Sequence, residues 1–323
     1  MHKFSLLFLA IFPAVTACQK GADERDKGAP ARLAVTDSKS VGQARDYPPL
    51  PEGPDFRSIE DTLRQRAAKN DPLAQCQLAT ELDFCAASTA LSDQVARATS
   101  SAIKGTGAVP AAENTTLSGI SAARMQYCKG SNVDTTAQRI MLWERAAKSG
   151  HLPAVLRYTS GSIFPNQEML GVLPQLNAYR ANALPLLERA AQDGSVQANM
   201  MLAKAYSPLG NYSFRANLLS QLVKKEKSLE QSIAYLQMAQ KLLETPGIDD
   251  GFLKDEINIS VAEANRQYPA PDASKVNRMF QELILSNRGL GRAIVVPVEQ
   301  DSERALFSTT PERGVCGAKS AAN

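Results

Sequence analysis

One pattern constrains this chain more than any other: a helix, a tight break and a second helix, written twice in nearly the same residues. The first copy is Ala137 to Tyr158, AQRIMLWERAAKSGHLPAVLRY. Leu142, Trp143, Ala146 and Ala147 recur at three- and four-residue spacing, which places them on one face of a helix. Lys148 and Gly150 close that helix with a basic last turn and a residue free to take positive φ. Ala154 and Tyr158 then restart an apolar stripe, and the small residues let the two helices approach closely.

The second copy is Leu184 to Tyr206, LPLLERAAQDGSVQANMMLAKAY. Leu187, Ala190, Ala191, Gly194, Ala198 and Leu202 take the places of Trp143, Ala146, Ala147, Gly150, Ala154 and Tyr158. A weaker copy spans Leu63 to Leu78; aligned on Ala68, it puts Asp71 where the glycine belongs and brings Ala74 one residue early. Self-similarity at a period of about 20–50 residues is the mark of a solenoid, in which each unit buries its apolar face on the next. The predicted fold class is therefore all-α: an α-solenoid of antiparallel helix pairs with an irregular or short extended C-terminal tail.

The pattern W-x-x-A-A-x-x-G-x-x-x-A-x-x-x-[LY] resembles the Sel1-like repeat, a relative of the tetratricopeptide repeat. Pro153, Thr159 and Ala203 depart from it, the last two standing where the family favours glycine. The resemblance implies a right-handed stack of helix pairs that binds proteins or peptides and performs no chemistry. It also implies that the first helix of each pair lines a concave side. On that arrangement Arg157, Asn199 and Lys204 are the expected protein-binding positions.

The N-terminus reads as an address. Residues 1–17 have a short basic start, His2 and Lys3, and an apolar run from Phe4 to Val15 too short to span a bilayer. Val15-Thr16-Ala17-Cys18 resembles the lipobox of bacterial lipoproteins, which implies cleavage before Cys18 and its lipidation; an ordinary secretory signal beside a cysteine is the alternative. Gln19, by the same analogy, implies sorting to the outer membrane of a Gram-negative envelope, facing the periplasm. Residues 18–54 are rich in small, charged and proline residues and read as a disordered tether holding the folded part about 30 Å off the membrane. Residues 55–288 form the expected repeat domain, and 289–323 an extended segment and tail.

Helices are expected over 58–69, 72–87, 91–104, 116–129, 177–192, 196–206, 218–244, 252–267 and 273–286, with Asp134 capping the central repeat. Setting Cys18 aside leaves Cys76, Cys85, Cys128 and Cys316, an even number in an exported chain. Cys76 and Cys85 share one expected helix and lie about 13 Å apart along it, too far to bridge. With three helices running up, down and up, Cys128 returns to the level of Cys85. Cys85–Cys128 is the predicted bridge, which leaves Cys76–Cys316.

Several function classes are disfavoured. The 36 basic and 33 acidic residues nearly balance, so nothing steers the chain toward nucleic acid, and Lys224–Lys227 reads as a solvated helix face. There is no C-x-x-C, and the only histidines are His2 and His151, so no metal and no cofactor is expected. His151 reads as an exposed or capping residue. Neither G-x-S-x-G nor a phosphate-cradling glycine loop occurs, and one mature histidine makes a nucleophile–histidine device a poor reading. The expectation is a non-enzymatic, membrane-anchored scaffold whose partner is another protein, or else an immunity lipoprotein that blocks a toxic enzyme in the periplasm.

Overall fold

The computed structural model describes residues 47–103, 111–208, 214–223, 228–248, 250–267, 271–296, 308–311 and 314–317. The signal segment, Cys18, most of the tether, residues 104–110 and Lys224–Lys227 lie outside the described residues; of the loop expected over 105–114, residues 111–114 are the first turn of a helix. Those described form α1 (Arg57–Ala68), α2 (Pro72–Ile103), α3 (Ala111–Tyr127), α4 (Thr136–Lys148), α5 (Leu152–Thr159), a 3-10 turn (Asn166–Val172), α6 (Leu173–Gln192), α7 (Val196–Tyr206), α8 (Phe214–Leu222), α9 (Leu229–Leu243), α10 (Gly251–Gln267), α11 (Ala273–Ser286) and the short α12 (Gly314–Gly317). Among them no strand forms; Ser195 and Ile294 make one isolated parallel bridge. No described helix is long and apolar enough to cross a membrane.

Helices pack largely on their neighbours in the chain. α2 lies against α1, α3 and α4; α6 against α5 and α7; α9 against α7, α10 and α11. The apolar faces expected of the two strong copies are buried: Trp143, Ala146, Ala147, Ala154 and Tyr158 in one, Leu187, Ala190, Ala191, Ala198 and Leu202 in the other. Tyr158, Phe164 and Tyr179 meet edge to face, and the Tyr179 hydroxyl donates to the Thr159 carbonyl at 2.9 Å. A buried phenol needs such an acceptor, because an unpaired one costs about 1–3 kcal/mol.

α3 begins at Ala111 rather than 116 and α6 at Leu173 rather than 177; three further differences each have a local reason. The segments 72–87 and 91–104 are one helix. Ser and Thr between them suggest a break, but the Ser88 and Thr89 hydroxyls fold back onto the carbonyls of Phe84 and Cys85, at 2.7 and 3.3 Å, so the helix continues. The expected single helix 218–244 is two, α8 and α9. Ser228 caps α9 by accepting from the Gln231 amide at 3.2 Å, a Ser-x-x-Gln signal the periodicity obscures. Thr135, and not Asp134, caps α4 through a reciprocal capping box with Gln138. Asp134 instead meets Arg64 of α1 at 3.0 Å.

The end of the tether is also corrected. Residues 47–54 lie against the helical body: Arg66 donates to the carbonyls of Pro48 and Pro49 at 2.7 and 2.6 Å, and half-buried Leu50 packs on the core.

Both disulfides form as expected, Cys85–Cys128 and Cys76–Cys316. The first arises because α3 returns along the continuous α2. The second ties the C-terminus to the first helix pair, 240 residues away in the chain.

Candidate protein-binding surface

The candidate surface is built on the turn of the repeat. In the first strong copy Gly150 has φ +83° and donates to Ala147 O at 2.9 Å, while His151 N–H donates to Ala146 O at 3.2 Å. In the second, Gly194 has φ +99° and donates to Ala191 O at 3.1 Å, while Ser195 N–H donates to Ala190 O at 3.0 Å. This is the Schellman arrangement, which satisfies the last carbonyls of the first helix and fixes the exit of the second.

The weak copy makes the same turn one residue earlier than its sequence alignment placed it. Asn70 has φ +60° and donates to Ala67 O at 3.1 Å, and Asp71 N–H donates to Arg66 O at 3.2 Å. Asn70, not Asp71, takes the glycine position, as asparagine tolerates left-handed backbone best after glycine. Leu63, Ala67, Asn70, Ala74 and Leu78 then stand eighty residues before Trp143, Ala147, Gly150, Ala154 and Tyr158 with no residue out of step. Ala67 is buried where Ala68 is exposed, which fixes the alignment.

The C-terminal segment crosses the turn of the second strong copy. Arg288 N–H donates to Gln192 O at 2.6 Å, Ile294 N–H to Gly194 O at 2.9 Å, and Gln197 Nε2 to Val296 O at 2.6 Å. Arg288 also pairs with Asp193 at 2.7 Å. The approach is close enough that a Cβ on Gly289 would sit 2.2 Å from the Asp193 carbonyl oxygen.

The three expected binding positions separate. Arg157 is exposed on α5, and its guanidinium makes no ion pair among the described residues. Lys204 is exposed on α7 and pairs with Glu256 of α10 at 2.5 Å. Asn199 is corrected: it is 1% exposed, and its amide donates to the carbonyls of Ala191 and Ser195 at 3.3 and 2.8 Å. It helps close the α6–α7 turn and faces no groove. α7 is apolar almost all round, with Lys204 its one charge, and such a helix is covered on most sides.

A neighbouring feature was not expected. Phe252, Glu256 and Ile259 follow at four- and three-residue spacing on one face of α10, with Phe252 46% and Ile259 68% exposed. The Lys204–Glu256 pair therefore sits beside two exposed apolar side chains. An aromatic and an aliphatic side chain beside charge resemble the centre and rim of a protein interface more than a solvated face. Asp250 caps α10, accepting from the Leu253 amide at 3.0 Å.

His151 is also corrected. The residue is half-buried, but its Nε2 is sealed from solvent and has no hydrogen-bond partner among the described residues. Burial lowers its pKa to about 4, against a smaller opposing pull from Asp71. Its folded pKa lies below the unfolded value near 6.5, so its contribution to stability is complete above pH 6.5 and is lost as pH falls toward 4. The loss across that window is expected to be about 3 kcal/mol. Urea midpoints of wild type and His151→Gln at pH 7 and pH 4.5 measure it; the wild-type drop should shrink in the variant.

Comparison with known proteins finds no matching family model, no similar curated protein and no similar solved structure.

Proposed function

We propose that this chain is a non-enzymatic protein-binding scaffold: an α-solenoid of Sel1-like helix pairs, anchored by lipid on Cys18 to the periplasmic face of the outer membrane. The observation that supports it most is the turn made three times, at Asn70, Gly150 and Gly194, with the same hydrogen bonds and the same buried positions around it. Repetition of one supersecondary unit builds an extended surface rather than a single catalytic cleft, and such surfaces serve binding.

The surface offered to the partner includes Arg157 and the α7–α10 patch of Lys204, Phe252 and Ile259. A free guanidinium gives forked, planar hydrogen bonds to a partner carboxylate, and an exposed aromatic gives area at small entropic cost. The partner is captured from solubilised envelope and identified by mass spectrometry; an envelope component makes the chain an adaptor, a secreted enzyme makes it an inhibitor.

Arg157→Ala and Phe252→Ala are each expected to weaken that partner about 30-fold, the effect of a truncation worth about 2 kcal/mol. Lys204→Ala should weaken it too, whereas losing the exposed ion pair costs at most about 1 kcal/mol of stability. Glu256→Gln separates the two effects, since it breaks the pair and keeps the lysine. Titration calorimetry gives the affinities, and melting temperatures within a few degrees of wild type show that the fold is intact. Unchanged affinities would move the binding surface elsewhere.

The anchor has its own test. Cys18→Ser is expected to abolish incorporation of labelled palmitate and to release the protein from the membrane fraction. Continued labelling would rule out Cys18 as the lipidated residue.

A further inference from the structure

The clasp at the C-terminus encloses a group that no structural role uses. The two sulfurs of Cys76 and Cys316 and one imidazole nitrogen of His151 all lie within 4.8 Å of one another. They come from three places in the chain: α2, the start of α5, and α12, which packs on both helices. Cys76 and Cys316 are fully buried. The Nε2 of the same imidazole is sealed from solvent and unpartnered among the described residues, an arrangement that costs free energy in the disulfide form.

We propose that the thiol form of this chain holds one zinc(II) ion on Cys76, His151 and Cys316, and that the disulfide form is the same clasp with the metal site closed. Two thiolates and an imidazole are a zinc donor set that leaves the fourth position to water. The charge balances: two thiolates neutralise the dication, and the imidazole binds neutral, so the buried site carries no net charge.

The interconversion balances as well. A thiolate of an external dithiol attacks one sulfur of the Cys76–Cys316 bond, giving a mixed disulfide and one free cysteine thiolate. The second thiol of the reagent then displaces the other cysteine and leaves as the oxidised reagent. Two electrons pass to the chain. Zinc binding then releases the two thiol protons to solvent. Either state fastens the C-terminus to the first helix pair, and only the thiol state holds metal. Among the described residues the one histidine, His151, lies with Cys76 and Cys316, so Cys85 and Cys128 have no imidazole beside them there.

The test is peptide-resolved alkylation of the full chain in detergent. The chain is reduced with a trialkylphosphine, which does not compete for zinc as a dithiol would, and alkylated with and without one equivalent of zinc(II). Zinc is expected to slow alkylation of Cys76 and Cys316 about tenfold or more and to leave Cys85 and Cys128 unaffected. Cobalt(II) in place of zinc should give a thiolate-to-metal charge-transfer band in the reduced chain and none in the oxidised chain. His151→Gln should lose most of the protection. Equal alkylation with and without zinc, equal protection of all four cysteines, or full protection in His151→Gln would each overturn the proposal. Should His151→Gln lose its helical signal, the wild-type alkylation pattern and the cobalt band decide alone. A reduced wild-type chain that has unfolded and is not refolded by zinc also overturns it.

Discussion

Trp143→Ala is expected to destabilise the protein by about 3–5 kcal/mol, the cost of truncating a buried aromatic. Trp143 is 4% exposed and lies among Ile140, Ala146 and Ala147 on the face of α4. Its indole Nε1 also donates to Asp83 Oδ2 of α2 at 2.8 Å, while Arg139 holds Oδ1 of the same carboxylate at 3.0 Å. One substitution thus opens a cavity and removes half of the polar clamp between α2 and α4. Trp143→Phe separates these effects: it keeps most of the buried area and loses one hydrogen bond, a cost of about 1 kcal/mol. A domain of this kind has about 5–15 kcal/mol in total, so the alanine variant should lose much of its folded population in moderate urea. A loss below about 1 kcal/mol would show that the α2–α4 contact is not part of the core.

Opening the C-terminal clasp should cost a comparable amount. The Cys76–Cys316 bridge closes 240 residues and Cys85–Cys128 closes 43. Chain-entropy arguments put the two at about 5 and about 4 kcal/mol, so Cys76→Ser with Cys316→Ser should be the more damaging pair. Within each pair, the double variant should lose no more than the worse single one, because either single change already breaks the bond. The clasp variants should also expose the C-terminal segment to limited proteolysis, whereas the Cys85 and Cys128 variants should leave it docked. Additive losses within a pair would contradict the bridge as drawn.

What sequence could show of this fold was set by contact range. The turns at Gly150 and Gly194 were legible because glycine, basic last turn and paired alanines all lie within one unit. The first turn was misplaced by one residue because Asn70 hides its role: its positive φ is visible only in the backbone. The continuity of α2 was hidden because side-chain hydroxyls, which usually disturb helices, here bond back to the preceding turn. Asn199 differs from its expected outward position for a local reason: its amide bonds the carbonyls of Ala191 and Ser195 across the α6–α7 turn, which the repeat pattern does not encode. His151 differs for a long-range one, since its neighbours Cys76 and Cys316 are remote in sequence and only the folded chain gathers them. The α10 patch had a readable signal, Phe252 and Ile259 seven residues apart, but nothing in the pattern told an exposed stripe from a buried one.

The most direct test of the binding account is site-specific photo-crosslinking in the envelope of intact cells. A benzophenone amino acid replaces Arg157, Lys204 or, as a control, Lys129, which is exposed in the turn after α3. The account predicts a discrete cross-linked species of the same partner from Arg157 and from Lys204, and none from Lys129. No cross-link from either position, or the same species in equal yield from Lys129, would contradict it.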